Sequence, residues 1–250
     1  MPYQIAAFGQ SDVGLVRQNN EDVWDEQPAL KFYVLADGMG GHRAGEVAAR
    51  EAVKELCRIL IKELSNQKAV SLSKTCDLVR NAIIEVNKII YKLGHTDAHL
   101  RGMGTTLCCV YFYDEWVILA HVGDSRIYRL HEKKLEQVTV DHSLLRELIE
   151  LGQLPDRVEP SFLYKNILTR AIGTEPSVEP SVQVCDAVCG DIYLMSSDGL
   201  SDMLTQEEIE VILNSYPSIT DATHTLIAEA REKGGYDNIT VVTMKIQNSK

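Results

Sequence analysis

Residues 104–113, 116–122 and 126–130 read as three β-strands with only Asp114-Glu115 and Gly123-Asp124-Ser125 between them. Connections that short make antiparallel hairpins, because a parallel crossover consumes about a dozen residues or more. Further strands are expected at 3–8, 31–36, near 182–188, 190–196 and 239–246. Apolar stripes at helical spacing predict helices over 44–64 and 75–93, and residues 142–151 also look helical. Thr205 with Glu208 forms a capping box for a helix at 206–214. Another helix over 219–233 stops at Gly234-Gly235. Strands clustered apart from paired helices predict an α+β layered fold, two antiparallel sheets with helices outside. Residues 151–180 lack periodicity, contain Pro155, Pro160, Pro176 and Pro180, and read as a long surface excursion of the functional kind.

The chain has 250 residues, 45% of them hydrophobic, with a formal net charge of −11. That content permits a sizeable core. The acidity argues against nucleic acid or an anionic membrane surface as the main partner. No secretory signal or membrane-length apolar run is visible, so a cytoplasmic protein is expected. Cys57, Cys76, Cys108, Cys109, Cys185 and Cys189 lack the pairing of a zinc knuckle and read as free thiols. Cys108 and Cys109 are adjacent in a strand and should face opposite ways. No cysteine is followed six residues later by arginine, so a Cys-x5-Arg nucleophile loop is absent.

Carboxylates recur at the margins of the strand-like runs. Asp37 follows Tyr33-Val34-Leu35-Ala36, Asp124 follows the run 117–123, and Asp198 follows Ile192 to Ser197. Asp237 precedes the last strand, and Glu21-Asp22 precede another short run. Taken singly, Asp37-Gly38 is also a common hairpin turn. As a set, acids converging on one rim repel one another and call for cations. Oxygen-only ligands suit Mg²⁺ or Mn²⁺. Two such ions activate water and stabilise displacement at phosphorus. Arg17, four residues before Glu21, has a planar fork that matches a phosphoryl group.

Six stretches occur in order: Arg17-Gln18-Asn19-Asn20-Glu21-Asp22, Ala36-Asp37-Gly38-Met39-Gly40-Gly41-His42, Gly102-Met103-Gly104-Thr105-Thr106, His121-Val122-Gly123-Asp124-Ser125-Arg126, Ser197-Asp198-Gly199-Leu200-Ser201-Asp202 and Asp237-Asn238-Ile239-Thr240. Thr139-Val140-Asp141-His142-Ser143 and the stretch 166–173 fit the same pattern. Together they closely resemble the metal-dependent PPM/PP2C protein serine/threonine phosphatases, in their bacterial single-domain form.

The resemblance implies one phosphatase domain over 1–250. Its fold would be a four-layer αββα sandwich, two antiparallel sheets flanked by antiparallel helix pairs, with a flap at about 144–172 beside the active site. It implies two Mn²⁺ or Mg²⁺ ions. Asp37 would bridge them, and the Gly38 carbonyl would bind one. Asp198 and Asp237 would complete the other site. Glu21 and Asp22 would serve the Gly38-side ion, and which of them binds directly stays open. A third ion, which bacterial members can hold, would use Asp124 and Asp198. Arg17 would grip the substrate phosphate.

The implied reaction is direct hydrolysis of phosphoserine or phosphothreonine on proteins by a metal-bridging water or hydroxide, without a phosphoenzyme. Some members carry histidine where this chain has Met39, so the proton donor is open, with a metal-bound water and His42 as candidates. The implied partners are phosphoproteins, together with a serine/threonine kinase whose work the enzyme opposes, and the chain is expected to be monomeric. The alternatives are a sigma-factor-pathway phosphatase acting on an anti-sigma antagonist, and a non-catalytic phosphoprotein-binding module. Loss of a metal aspartate would mark the binding module, and Asp37, Asp198 and Asp237 are all present.

Overall fold

Every strand pairing in the two sheets is antiparallel. The computed structural model describes residues 3–40, 44–65, 71–155 and 167–248. In chain order the strands are β1 (Tyr3–Asp12), β2 (Asp22–Gln27), β3 (Phe32–Met39), β4 (Gly104–Thr105), β5 (Leu107–Tyr113), β6 (Trp116–Val122), β7 (Arg126–His131), β8 (Lys134–Gln137), β9 (Ser181–Asp186), β10 (Ile192–Ser196) and β11 (Ile239–Asn248). The helices are α1 (Ala44–Ser65), α2 (Leu72–Thr96), α3 (Leu144–Glu150), α4 (Asp198–Ser201), α5 (Gln206–Ser215) and α6 (Ile219–Glu232). One sheet has the order β1-β11-β10-β7-β8. The other runs β2-β3-β5-β6-β9, with β4 paired to β3.

Of the predicted hairpins, β5–β6 forms, but β6 and β7 lie in different sheets, so Gly123-Asp124-Ser125 carries the chain from one sheet to the other instead of closing a hairpin. Asp114 turns β5 into β6 with φ +50°, and Glu132 and Lys133 turn β7 into β8 with φ +47° and +67°. Two consecutive positive φ values match the twist of the strands they join.

Three apolar layers show how the elements stack. Phe32, Val34, Cys109 and Ile118 pack under α1 and α2. Tyr33, Leu35, Cys108 and Val110 face the other sheet through Tyr193, Met195 and Val242. Tyr128, Leu194 and Val241 pack under α5 and α6. Cys108 and Cys109 therefore point into different layers, as strand alternation requires. All six cysteines are free. The order is helices, sheet, sheet, helices, the α+β layering expected. The sheets approach closely at Gly9, where a Cβ would lie 2.7 Å from the Trp24 ring.

Four local expectations are corrected. Asp37-Gly38 is not a turn: β3 continues through both residues, and Gly38 and Met39 pair with Thr105 and Gly104 of β4. β2 was anticipated only as a short run after Glu21-Asp22, and β8 not at all. Both are sheet-edge strands, where short or polar sequences are the rule. α2 extends beyond 75–93 at both ends. α4 is a single turn directly after β10, too short to show periodicity. The capping box on α5 is present, with Thr205 and Glu208 bonded reciprocally. Of the expected flap, 156–166 lie outside the described residues. Its two ends are tied by isolated bridges, Ser143 to Leu168 and Thr105 to Ile172.

Candidate active site

Asp37 is fixed through its backbone. Its N–H donates to Thr106 Oγ1 at 3.0 Å, and its carbonyl accepts from Thr106 N at 2.8 Å and Thr105 Oγ1 at 2.8 Å. Thr106 Oγ1 in turn meets Ser125 Oγ at 2.7 Å. The carboxylate is thus left over for the cavity. Gly38 has no room for a side chain, since a Cβ there would strike the Gly45 carbonyl oxygen.

The acidic pair before β2 splits. Asp22 lies directly across from Asp37 in the β2–β3 register and is buried. Its Oδ2 accepts from Ser197 Oγ and Thr240 Oγ1, each at 2.7 Å. Its Oδ1 is buried without a hydrogen-bond partner, and the neighbouring Asp37 carboxylate is another acceptor. Glu21 instead lines the cavity with Gly38. Its backbone carbonyl accepts from Gly38 N at 3.1 Å, and its N–H donates to Asn238 Oδ1 at 2.8 Å.

The second sheet supplies Asp198 and Asp237, and the connection between the sheets supplies Asp124. Asp198 opens α4 where β10 ends, Asp124 follows β6, and Asp237 precedes β11. Arg17 Nη2 donates to Asp237 Oδ2 at 2.7 Å, an exposed pair. Asn238 Nδ2 ties down the Arg17 loop by donating to the carbonyls of Val13 and Asn19 at 3.0 and 2.9 Å. A Cβ at Gly199 would overlap the Asn238 carbonyl oxygen. Overpacking against backbone costs about 1–3 kcal/mol or more. Gly199→Ala is therefore expected to lower the melting temperature by roughly 5–10 °C in a circular-dichroism melt.

These segments enclose a cavity of about 450 Å³, lined by Arg17, Glu21, Asp37, Gly38, Met39, Asp124, Asp198 and Asp237 among others. Of the residues predicted for the site, only Asp22 sits behind this wall, and His42 lies outside the described residues. Arg17 is the one basic side chain among the described lining residues.

The electrostatics are those of stranded acids. Burial, then the neighbouring Asp22 and Asp198, pushes the Asp37 carboxyl well above the usual range. Burial, then Asp124 and Asp237, does the same to Asp198. Asp22 and Asp124 are each raised to about 6, burial again the main cause. Asp198 Oδ1, like Asp22 Oδ1, is buried without a partner.

Among the described residues no three His, Cys, Asp or Glu side chains are grouped closely enough to hold a metal ion by themselves. The acids stand around the cavity instead. That openness suits Mg²⁺ or Mn²⁺, which keep several waters and take one or two carboxylates each. Two orphaned carboxylate oxygens and a ring of mutually repelling acids fit divalent cations, since a nearby positive charge would relieve both.

Comparison with known proteins agrees with this geometry. The family model for protein phosphatase 2C matches residues 10–237. The chain belongs to the protein phosphatase 2C family. It is 38% identical over 240 residues to the serine/threonine phosphatase stp of Listeria welshimeri, covering 94% of each chain. It is 36% identical over 239 residues to the protein phosphatase PhpP of Streptococcus pneumoniae, covering 94% of this chain and 95% of that one. The crystal structure of the Mycobacterium tuberculosis serine/threonine phosphatase PstP/Ppp superposes with a TM-score of 0.88 at 33% identity, covering 98% and 99% of the two chains. The catalytic domain of PstP in complex with two manganese ions superposes at 0.86, also at 33% identity, covering 98% of this chain and 100% of that one.

Within this phosphatase 2C chain, the motif scan found the acids but not what holds them. Thr105, Thr106, Ser197, Asn238 and Thr240 belong to the quoted motifs, yet their contacts with Asp37, Asp22 and the Arg17 loop depend on the assembled sheets. His142 is a further case. Its Nδ1 accepts from Gly123 N at 3.2 Å while its own N–H donates to the Gly123 carbonyl at 2.9 Å, bracing the turn that carries Asp124. Its Nε2 lies 3.0 Å from Ser181 Oγ and 3.3 Å from Arg170 Nη1. Burial, the stacked His121 ring and Arg170 push its pKa down to about 3. A depressed imidazole pKa keeps the ring neutral at every pH above that value. Its ring resonances are accordingly expected to show no titration between about pH 5 and pH 8 by NMR.

Proposed function

We propose that this chain is a metal-dependent protein phosphatase acting on phosphoserine and phosphothreonine, and that residues 1–250 form one phosphatase domain. The observation that carries the reading is a cavity lined by five carboxylates from two sheets and the connection between them, with one exposed arginine at its mouth. Asp37 and the Gly38 carbonyl would hold one of two divalent ions, Mn²⁺ or Mg²⁺, with Glu21 rather than the internally bonded Asp22 facing it. Asp37, Asp198 and Asp237 would hold the other. Asp124 beside Asp198 would hold a third. Bound ions supply an activated water and neutralise charge on the phosphoryl oxygens.

The chain's own groups do the rest. Thr105 and Thr106 keep Asp37 in place from behind. Ser197 and Thr240 hold Asp22 as its immobile neighbour. Arg17 presents a planar pair of donors toward a phosphate entering the cavity, and such forks add bidentate geometry to charge. Met39 lines the cavity without a proton to give, so proton transfer to the leaving oxygen falls to another group, His42 being a candidate from sequence.

Among the described residues no helix is long and apolar enough to cross a membrane. A monomer opposing a serine/threonine kinase in the cytoplasm is the setting we propose.

The test is phosphate release from a phosphothreonine peptide in Mn²⁺. Release is expected, and Arg17→Ala should raise KM by about tenfold, the effect of losing one charge-assisted phosphate contact. No release at any Mn²⁺ or Mg²⁺ concentration would refute the reading.

A further inference from the structure

Three large apolar side chains stand in solvent on the segments that lead into this cavity. Leu15, Val16 and Tyr236 are 59%, 61% and 63% exposed. Each belongs to a segment that runs straight into the site. Val16 precedes Arg17, and Tyr236 precedes Asp237, the two residues joined by the 2.7 Å ion pair. The intervening glycines bring the Leu15 and Tyr236 segments side by side, with Val16 next to Leu15 in the chain. Leu15 N donates to the Gly235 carbonyl at 2.8 Å, and a Cβ on Gly235 would lie 3.1 Å from Leu15 Cγ. A Cβ on Gly234 would fall 2.6 Å from the Tyr236 ring, so the ring lies back over that glycine.

The loop is also built rather than loose. Asp12 Oδ1 accepts from Gly14 N at 2.8 Å, Arg231 Nη1 donates to Asp12 Oδ2, and Asn238 holds the Val13 and Asn19 carbonyls. Gly14 has φ +78° and no space for a side chain beside the Asp237 carbonyl. None of these restraints requires residues 15, 16 or 236 to be apolar. Clustered exposed apolar side chains beside a site mark contact with a partner.

We propose that Leu15, Val16 and Tyr236 form a substrate-docking surface that takes an apolar side chain flanking the phosphorylated residue of a phosphoprotein. The inference rests on the phosphatase reading above. Continuity with the cavity selects this occupant. A chain whose phosphate meets Arg17 passes over the residues adjoining Arg17 and Asp237. An extended segment advances about 3.3 Å per residue, so positions within about three residues of the phosphate reach the surface.

The test compares phosphothreonine peptides carrying leucine or serine at the flanking positions on either side, with an aryl phosphate as the small substrate. The wild type is expected to favour a leucine-flanked peptide by about tenfold in kcat/KM, through KM, the effect of covering one apolar side chain. Leu15→Ser/Val16→Ser/Tyr236→Ser should reduce that preference to within about twofold while kcat and aryl phosphate hydrolysis stay within about twofold of wild type. Tyr236→Ser alone should give an intermediate preference.

Equal handling of both peptides by the wild type, or an undiminished preference in the triple variant, would overturn the proposal. So would a wild-type dimer by light scattering that the triple variant dissolves, because the surface would then be a contact between copies. Failure to hydrolyse even the aryl phosphate would instead count against the phosphatase reading.

Discussion

Asp37→Asn is expected to lower kcat for phosphate release by about a thousandfold or more, at any Mn²⁺ concentration. The substitution is nearly isosteric, and the hydrogen bonds that fix residue 37 go to its backbone N–H and carbonyl, from Thr105 and Thr106. Those bonds survive. What is lost is the charge that Asp22, Asp124, Asp198 and Asp237 all bear upon. An amide offers one neutral oxygen where two anionic ones faced the cavity, so it cannot serve two cations at once. Unchanged far-UV circular dichroism with lost turnover is the expected pair of results. A variant within tenfold of wild type would mean that Asp37 is not the shared ligand.

The same acids should make the metal-free protein less stable than its fold allows. In chelator, Asp37→Asn is expected to melt a few degrees above wild type, because it removes one member of a crowded set of acids. The gap should widen between about pH 5 and about pH 7.5. The direction follows from linkage. The folded-state pKa of Asp37 is raised well above its value in the unfolded chain. Near and below the unfolded value the acid is protonated in both states and costs nothing. As pH rises past it, the unfolded chain loses its proton first, and wild-type stability falls relative to the variant. Saturating Mn²⁺ should reverse the order. Binding at about 100 times the dissociation constant stabilises by about 2.7 kcal/mol, which for a chain of this size raises the melting temperature by roughly 5–10 °C. Asp37→Asn should lose most of that rise. A wild-type melt indifferent to Mn²⁺ would contradict the account. Sites arranged for function commonly carry such a stability deficit.

How far these results were legible in the sequence depends on the range of the interaction. The β5–β6 hairpin followed from its two-residue loop and the α5 cap from two residues three apart, whereas the equally short β6–β7 connection is a crossover between sheets that loop length alone misassigns. The carboxylates stood out because strand margins converge in a layered α+β fold, so Asp37, Asp124, Asp198 and Asp237 could be gathered before any coordinates. The acidic pair could not be resolved that way. Glu21 and Asp22 are adjacent, and only the β2–β3 register and the hydroxyls of Ser197 and Thr240 send one to the cavity and the other behind it. β2 showed only as a short run because DVWDEQ lacks the apolar stretch of a central strand, and its edge position explains why it can. Asp37-Gly38 taken alone also fits a hairpin turn, and what excludes the turn is pairing with β4, far along the chain, which extends the strand. His142 and Asn238 gave no signal as braces because their partners lie 19 and more than 200 residues away.

The most direct measurement is the number of ions the cavity holds. Equilibrium dialysis of the full chain against Mn²⁺, followed by elemental analysis, should find at least two ions per wild-type chain and fewer than one in Asp37→Asn. Wild-type protein that retains no Mn²⁺, or an Asp37→Asn variant that retains as much as wild type, would contradict the claim that these carboxylates form a two-metal phosphatase site.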